Sequence, residues 1–214
     1  IMDSIAPGSI LPVLSTAQVT RDDKAAQALE ICRSRGFFIA CAESLTAGLL
    51  ADSFVRIPGA SDVFLGSAVT YTNEEKHHIL GVSSTLLRTQ GAVASETARQ
   101  MASGVRDLYA SADEGYSHNV IGLSTTGVAG PGPSEGKPEG LVYVACTVPG
   151  KPVSPEYPVR VRQLQCSGSR ETVRRESVEG ALDLLLAVLE GHLERRLDRR
   201  GTIVVEVELR QSFG

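Results

Sequence analysis

The sequence predicts an α/β fold, a sheet covered by helices on both faces, and three observations predict it. Short β-type runs, FFIAC (37–41), DVFLGSAVTY (62–71), HNVIGLSTT (118–126) and LVYVACTV (141–148), alternate with segments of helical apolar spacing. Glycine, proline and helix-capping residues fall at the junctions between them. The chain has 214 residues, 42% hydrophobic and 21% charged, which is an ordinary globular balance. A chain of that length forms one domain and buries roughly 70% of its unfolded surface without disulfide or metal.

The elements follow in order. Residues 1–20, interrupted by Pro7 and Pro12, read as a loose leader with neither a basic n-region nor a membrane span. Ala25, Ala28, Leu29 and Cys32 recur at helical spacing and predict a helix over 23–35, closed by Gly36. The strand 37–41 then runs into Glu43 and Ser44, and Leu45, Leu49, Leu50, Phe54 and Val55 form the stripe of a helix that stops at Pro58 and Gly59. Ser44 is placed as N-cap of that helix, where a serine is also held rigidly beside free backbone N–H groups, as suits a nucleophile. After the strand 62–71, Thr72 and Glu75 fit a capping box that starts a short helix.

A second capping signal at Ser95 opens a helix over 95–112, with Ala98, Met101, Ala102, Val105 and Leu108 on its inner side. The strand 118–126 ends in a glycine-rich loop, the strand 141–148 follows, and another lies near PEYPVRVRQLQ (155–165). A long helix over 169–198 has Ser169 as N-cap and Val173, Leu182, Leu185, Val188, Leu189 and Leu193 inside. TIVVEVELR alternates as an edge strand would, so residues 201–214 read as a strand-like extension.

Net charge and cysteine usage exclude some classes of function. A net charge of −4 argues against phosphate-backbone binding, so no nucleic-acid partner is expected. Cys32, Cys41, Cys146 and Cys166 form no metal-ligand or disulfide pattern and read as reduced thiols of a cytoplasmic protein. His77 and His78 are adjacent and point apart, so no metal site is expected there.

Four local features carry chemistry. Ser44 is either a cap alone or a cap that is also a nucleophile. Lys76, in the first turn of its helix, is either a base whose charge the positive helix terminus and burial disfavour, or a solvated neighbour of Glu74 and Glu75. The run Thr125, Thr126, Gly127, Val128, Ala129, Gly130 can offer backbone N–H groups to an anion or oxyanion, yet it matches neither the Rossmann fingerprint nor the Walker A pattern. Arg170 at the start of the last helix, with Arg174 one turn on, can bind phosphate or can simply pair with Glu171 and Glu179 on a solvated face.

Five segments in this order, AESLTAG, GSAVTYTNEEKHHILGV, QGAVASETARQMASGVR, TTGVAGPGPSEGKPEG and CSGSRETVRRE, resemble the C-terminal domain of the competence/damage-inducible CinA family over about residues 22–195. The resemblance implies a three-layer α/β/α sandwich with a mixed central sheet, in one domain over 21–200. It implies hydrolysis of the carboxamide of nicotinamide mononucleotide to nicotinic acid mononucleotide and ammonia, without metal or cofactor, by a cytoplasmic homo-oligomer. Ser44 matches the family's nucleophile and Tyr71 and Lys76 its catalytic partners, with Tyr71 able to relay or orient. Thr126 and Arg170 match substrate-site positions, and Glu43, Thr46, Gly127, Ala129 and Gly130 complete the expected substrate contacts. Two departures stand out: Ala47 where the family commonly reads S-x-T-G-G, and Ser169 where it has Asp. The rival class is a nucleotide-binding or partner-recruiting module that keeps the pocket without useful turnover; a third reading is an amidase for a different amide.

Overall fold

The computed structural model describes residues 16–150 and 157–191. Six helices, α1 (Thr16–Arg35), α2 (Leu49–Val55), α3 (Asn73–Leu80), α4 (Ser84–Gln90), α5 (Ser95–Ala110) and α6 (Arg170–Glu190), surround five strands, β1 (Phe38–Glu43), β2 (Phe64–Val69), β3 (Val120–Gly127), β4 (Leu141–Thr147) and β5 (Val159–Gln165). The sheet order is β2-β1-β3-β4-β5. β1 pairs in parallel with β2 and β3, while β3/β4 and β4/β5 are antiparallel, so the sheet is mixed as expected.

Both faces of the sheet are covered, because β1 and β3 carry apolar side chains in both directions of the pleat. Ile39, Cys41, Ile121 and Leu123 pack with α1, α2 and α6, where Leu29, Phe54, Leu182 and Leu185 complete the larger core. Ala40, Ala42 and Val120 point the other way, against Leu80, Leu87, Met101 and Val105 of α3, α4 and α5. This is the three-layer α/β/α architecture.

Strand direction decides where function can sit. The chain leaves β1 for β2 on one side and returns for β3 on the other, and ligands bind outside the carboxyl ends of strands at such a switch point. Three parallel strands therefore deliver Ser44, Tyr71 and Gly127 to one end of the sheet. β5 runs antiparallel to β4, so it delivers the start of α6 to that same end.

Several expectations are corrected. α1 begins at Thr16, inside the expected leader, and α4 was not foreseen. Ser44 caps nothing: residues 44–48 are turns, and α2 starts at Leu49 after Gly48. Ser95 is already helical and Ala94 occupies the cap position without a side-chain bond. Val55 and Leu108, expected inside, are exposed, and Val188 is only partly buried. α6 ends at Glu190 with Gly191 in a left-handed cap. Leu193, the rest of the expected helix to 198 and the strand expected at 202–210 lie outside the described residues. The caps at Thr72 and Ser169 are as expected, each side chain accepting a backbone N–H of the first turn.

Candidate active site

Glu43 governs the turn that presents Ser44. Its carboxylate is fully buried and accepts Gly48 N–H at 2.8 Å and Leu50 N–H at 3.0 Å on one oxygen. The other oxygen accepts Ala51 N–H at 3.0 Å and Ser67 Oγ–H at 2.9 Å. This carboxylate supplies the N-terminal acceptor that Ser44 was expected to supply, and its charge complements the helix dipole. Ser44 is thereby released from capping. Its N–H donates to Thr125 O at 3.0 Å, and its hydroxyl opens onto a cavity.

Arg174 fixes the same turn from α6, donating to Leu45 O at 2.9 Å and Thr46 O at 3.0 Å as well as to Glu171. It is a strut of the turn, which neither the phosphate reading nor the solvated-face reading anticipated. Ala47 sits at φ 46, a left-handed conformation that glycine adopts without cost and alanine does not.

Lys76 is not solvated beside Glu74 and Glu75. Its side chain is fully buried, and Nζ reaches Ser44 Oγ at 3.0 Å, Thr70 O at 2.7 Å and Tyr71 O at 3.2 Å. Burial lowers its pKa from 10.5 to about 8, and the charge of Glu135 opposes part of that fall. As an ammonium the group donates to all three oxygens; as a neutral amine it keeps N–H bonds for the two carbonyls and has a lone pair for the serine hydroxyl.

Of the two roles expected of Tyr71, relay or orientation, its contacts bear on orientation. Its backbone carbonyl holds Lys76, while its phenol is exposed and accepts a bond from Arg170 Nη2 at 3.0 Å. Nζ touches Oγ directly, so no relay is needed. Arg170 Nη1 also donates to Gly130 O at 2.6 Å, which ties the start of α6 to the glycine-rich loop.

The cavity beside Ser44 has a volume of about 530 Å³, within the range of small-molecule sites. Tyr71, Thr126, Gly127, Ala129, Gly130 and Arg170 line it with Ser44, so most of the expected site converges. Glu43 and Thr46 do not. Glu43 lies beneath the turn, and Thr46 is buried with its hydroxyl 2.7 Å from Thr125 Oγ, so neither faces the cavity as a substrate contact. Thr126 lines the cavity, with its hydroxyl donating to Ala92 O at 2.8 Å.

A family model described as the CinA C-terminal domain matches residues 21–189. The chain belongs to the CinA C-terminal domain family. A Caldanaerobacter subterraneus protein named for competence-damage induction is 44% identical over 164 residues, 76% of this chain and 36% of its own length. A CinA-like protein of Frankia casuarinae is 40% identical over 157 residues, covering 73% of this chain and 33% of that protein. The chain thus spans about a third of the length of the curated relatives it matches. Among solved structures, a competence/damage-inducible protein of Agrobacterium tumefaciens superposes with a TM-score of 0.69 at 30% identity, covering 83% of this chain and 99% of that one.

The structure shows what surrounds the two positions at which the chain was expected to depart from the CinA pattern. The backbone of Ala47 is left-handed, a conformation that favours glycine. Ser169 in place of Asp still caps α6, accepting Thr172 N–H at 3.2 Å, and Arg170 is oriented by Gly130 and Tyr71 instead. Sequence reasoning missed Glu135, which lines the cavity from the 128–140 loop; no local pattern in SEGK marks it. The four cysteines are free and buried, and no described helix is long and apolar enough to cross a membrane.

Proposed function

We propose that the chain is an amidohydrolase that converts nicotinamide mononucleotide to nicotinic acid mononucleotide and ammonia, with Ser44 as nucleophile and Lys76 as its base. The observation that carries this reading is the buried Lys76 Nζ, 3.0 Å from Ser44 Oγ and within hydrogen-bond distance of the carbonyl oxygens of Thr70 and Tyr71. A lysine with a pKa near 8 has a useful neutral fraction at neutral pH, which a solvated lysine lacks.

In this mechanism the Nζ lone pair takes the Ser44 proton as Oγ bonds to the carboxamide carbon. The tetrahedral oxyanion is stabilised by backbone N–H groups of the cavity wall, of which those of Ala129 and Gly130 donate to no backbone carbonyl among the described residues. Lys76 returns the proton to the departing nitrogen, and ammonia leaves. Water then attacks the acyl-serine with Lys76 again as base, the product acid is released and Ser44 recovers its proton. Arg170 spends two of its five N–H donors on Gly130 and Tyr71, which supports its guanidinium as the anchor of the 5′-phosphate. The same reading places the protein in pyridine-nucleotide salvage in the cytoplasm, as a homo-oligomer using neither metal nor cofactor.

The deciding experiment is ammonia release from nicotinamide mononucleotide by wild type and Ser44→Ala. Release that disappears in the variant is the expected result. Absence of release from folded wild type that still binds the nucleotide refutes the amidase and leaves a binding module.

A further inference from the structure

Glu135 has no part in the chemistry above, yet it lines the same cavity as Ser44. Its backbone is left-handed at φ 50, a conformation that side-chain-bearing residues seldom adopt. Its Oε2 accepts Ala92 N–H at 2.8 Å, and Ala92 O accepts the Thr126 hydroxyl at 2.8 Å. The peptide of Ala92 is therefore gripped from both sides. Gly91 makes room for the arrangement, since a methyl group on it would collide with Oε2 of Glu135. The 128–140 loop thus ties a carboxylate of the cavity lining to Ala92, another lining residue.

The consequence is a carboxylate on the lining of the cavity that holds Ser44, on an exposed side chain tied to Ala92. Glu135 acts electrostatically on Lys76, whose Nζ lies 3.0 Å from Ser44 Oγ, so the same field reaches any group seated at the serine. Glu74, in the first turn of α3, adds a second carboxylate to the cavity lining, while Arg170 adds a cation held by Gly130 and Tyr71. The cavity therefore carries charge of both signs. Its complement is a molecule that carries both a positive and a negative group.

We propose that Glu135 is a specificity determinant whose carboxylate selects amides borne on a positively charged ring over neutral amides of the same shape. The inference rests on the amidase reading for its substrate class. A pyridinium carboxamide fits it, because the amide carbon is bonded directly to the cationic ring, so an amide at Ser44 brings the ring charge into the field of the latched carboxylate. The discrimination comes from a difference in binding between charged and neutral rings, with the shape of the pocket common to both.

Binding separates this inference from the chemistry. Dissociation constants for oxidised nicotinamide mononucleotide and for its 1,4-dihydro form, which has the same amide and phosphate but no ring charge, are measured by calorimetry on Ser44→Ala. The measurement is repeated on Ser44→Ala with Glu135→Gln, which keeps an oxygen for Ala92 N–H and removes the charge. Ser44→Ala with Glu135→Asp keeps the charge on a shorter arm. Glu135→Gln is expected to weaken the oxidised form about tenfold, equivalent to ~1.4 kcal/mol, and the dihydro form less than twofold. Glu135→Asp is expected to retain most of the discrimination. Equal weakening of both forms, no weakening, or binding of neither form overturns the proposal. Ammonia release by wild type is scored separately: discrimination without release leaves the inference standing and removes the amidase, and release with indiscriminate binding does the reverse.

Discussion

Titration of Lys76 gives a test of the site that does not depend on any substrate. Burial holds its folded-state pKa at about 8, against 10.5 for a solvated lysine. Between those values the unfolded chain keeps a proton that the folded chain has lost, so the stability of the fold rises with pH across that window and is level outside it. At about 1.4 kcal/mol per pH unit, the full gain is about 3 kcal/mol, of which about 2 kcal/mol accrues between pH 7 and 9.5. Other groups titrate in the same range, so the perturbation is Lys76→Met. This variant keeps the length and apolar stem of the side chain and cannot titrate. It leaves the carbonyls of Thr70 and Tyr71 without their donor, a fixed cost that does not vary with pH. The assay is urea denaturation of both proteins at half-unit steps from pH 7 to 9.5, with slope and midpoint fitted at each step. Wild type is expected to gain about 2 kcal/mol on the variant over that interval. A difference that stays within about 0.5 kcal/mol means Lys76 titrates as a solvated lysine, and the neutral-base argument fails with it.

Three further outcomes are expected. The kcat/KM for ammonia release falls about tenfold for each pH unit below about 8, as Lys76 gains its proton; a flat profile down to pH 6 counts against a lysine base. Ala47→Gly relaxes the left-handed residue at φ 46 and raises stability by ~0.5–1 kcal/mol in urea titrations, after allowance for the extra chain entropy of glycine; a loss of stability would show that the turn is not strained there. Glu43→Ala strips the acceptor from three backbone N–H groups and from Ser67, and is expected to cost ~3 kcal/mol or more and to abolish ammonia release by disordering the Ser44 turn; unchanged stability would refute its structural role.

Much of the fold is legible in the chain because its signals are local. The helix starts at Thr72 and Ser169 follow from residues that bond their own first turns, and the strands from short apolar runs between glycine and proline. Local reasoning failed where a group other than the expected one supplied the bond. Ser44 has the composition and position of a cap, yet the Glu43 carboxylate binds the N–H groups at the actual helix start, and α2 starts four residues later than a Ser44 cap implies. Arg174 likewise shares its helix face with Glu171, as a solvated residue would, and still reaches the carbonyls of Leu45 and Thr46.

By itself the sequence determined the α/β class, the family and the identity of Ser44, Lys76 and Arg170 as candidates, because each depends on residue type and order along the chain. Tertiary structure alone decided the protonation and the partnerships. Lys76 leaves water only when α3 packs against α5 and directs Nζ between two carbonyls and the serine that follows β1. Glu135 enters the cavity only when the 128–140 loop crosses to Ala92. A pKa and a pocket charge are properties of distances between remote segments, and those distances exist only once parallel strands have brought their carboxyl ends together.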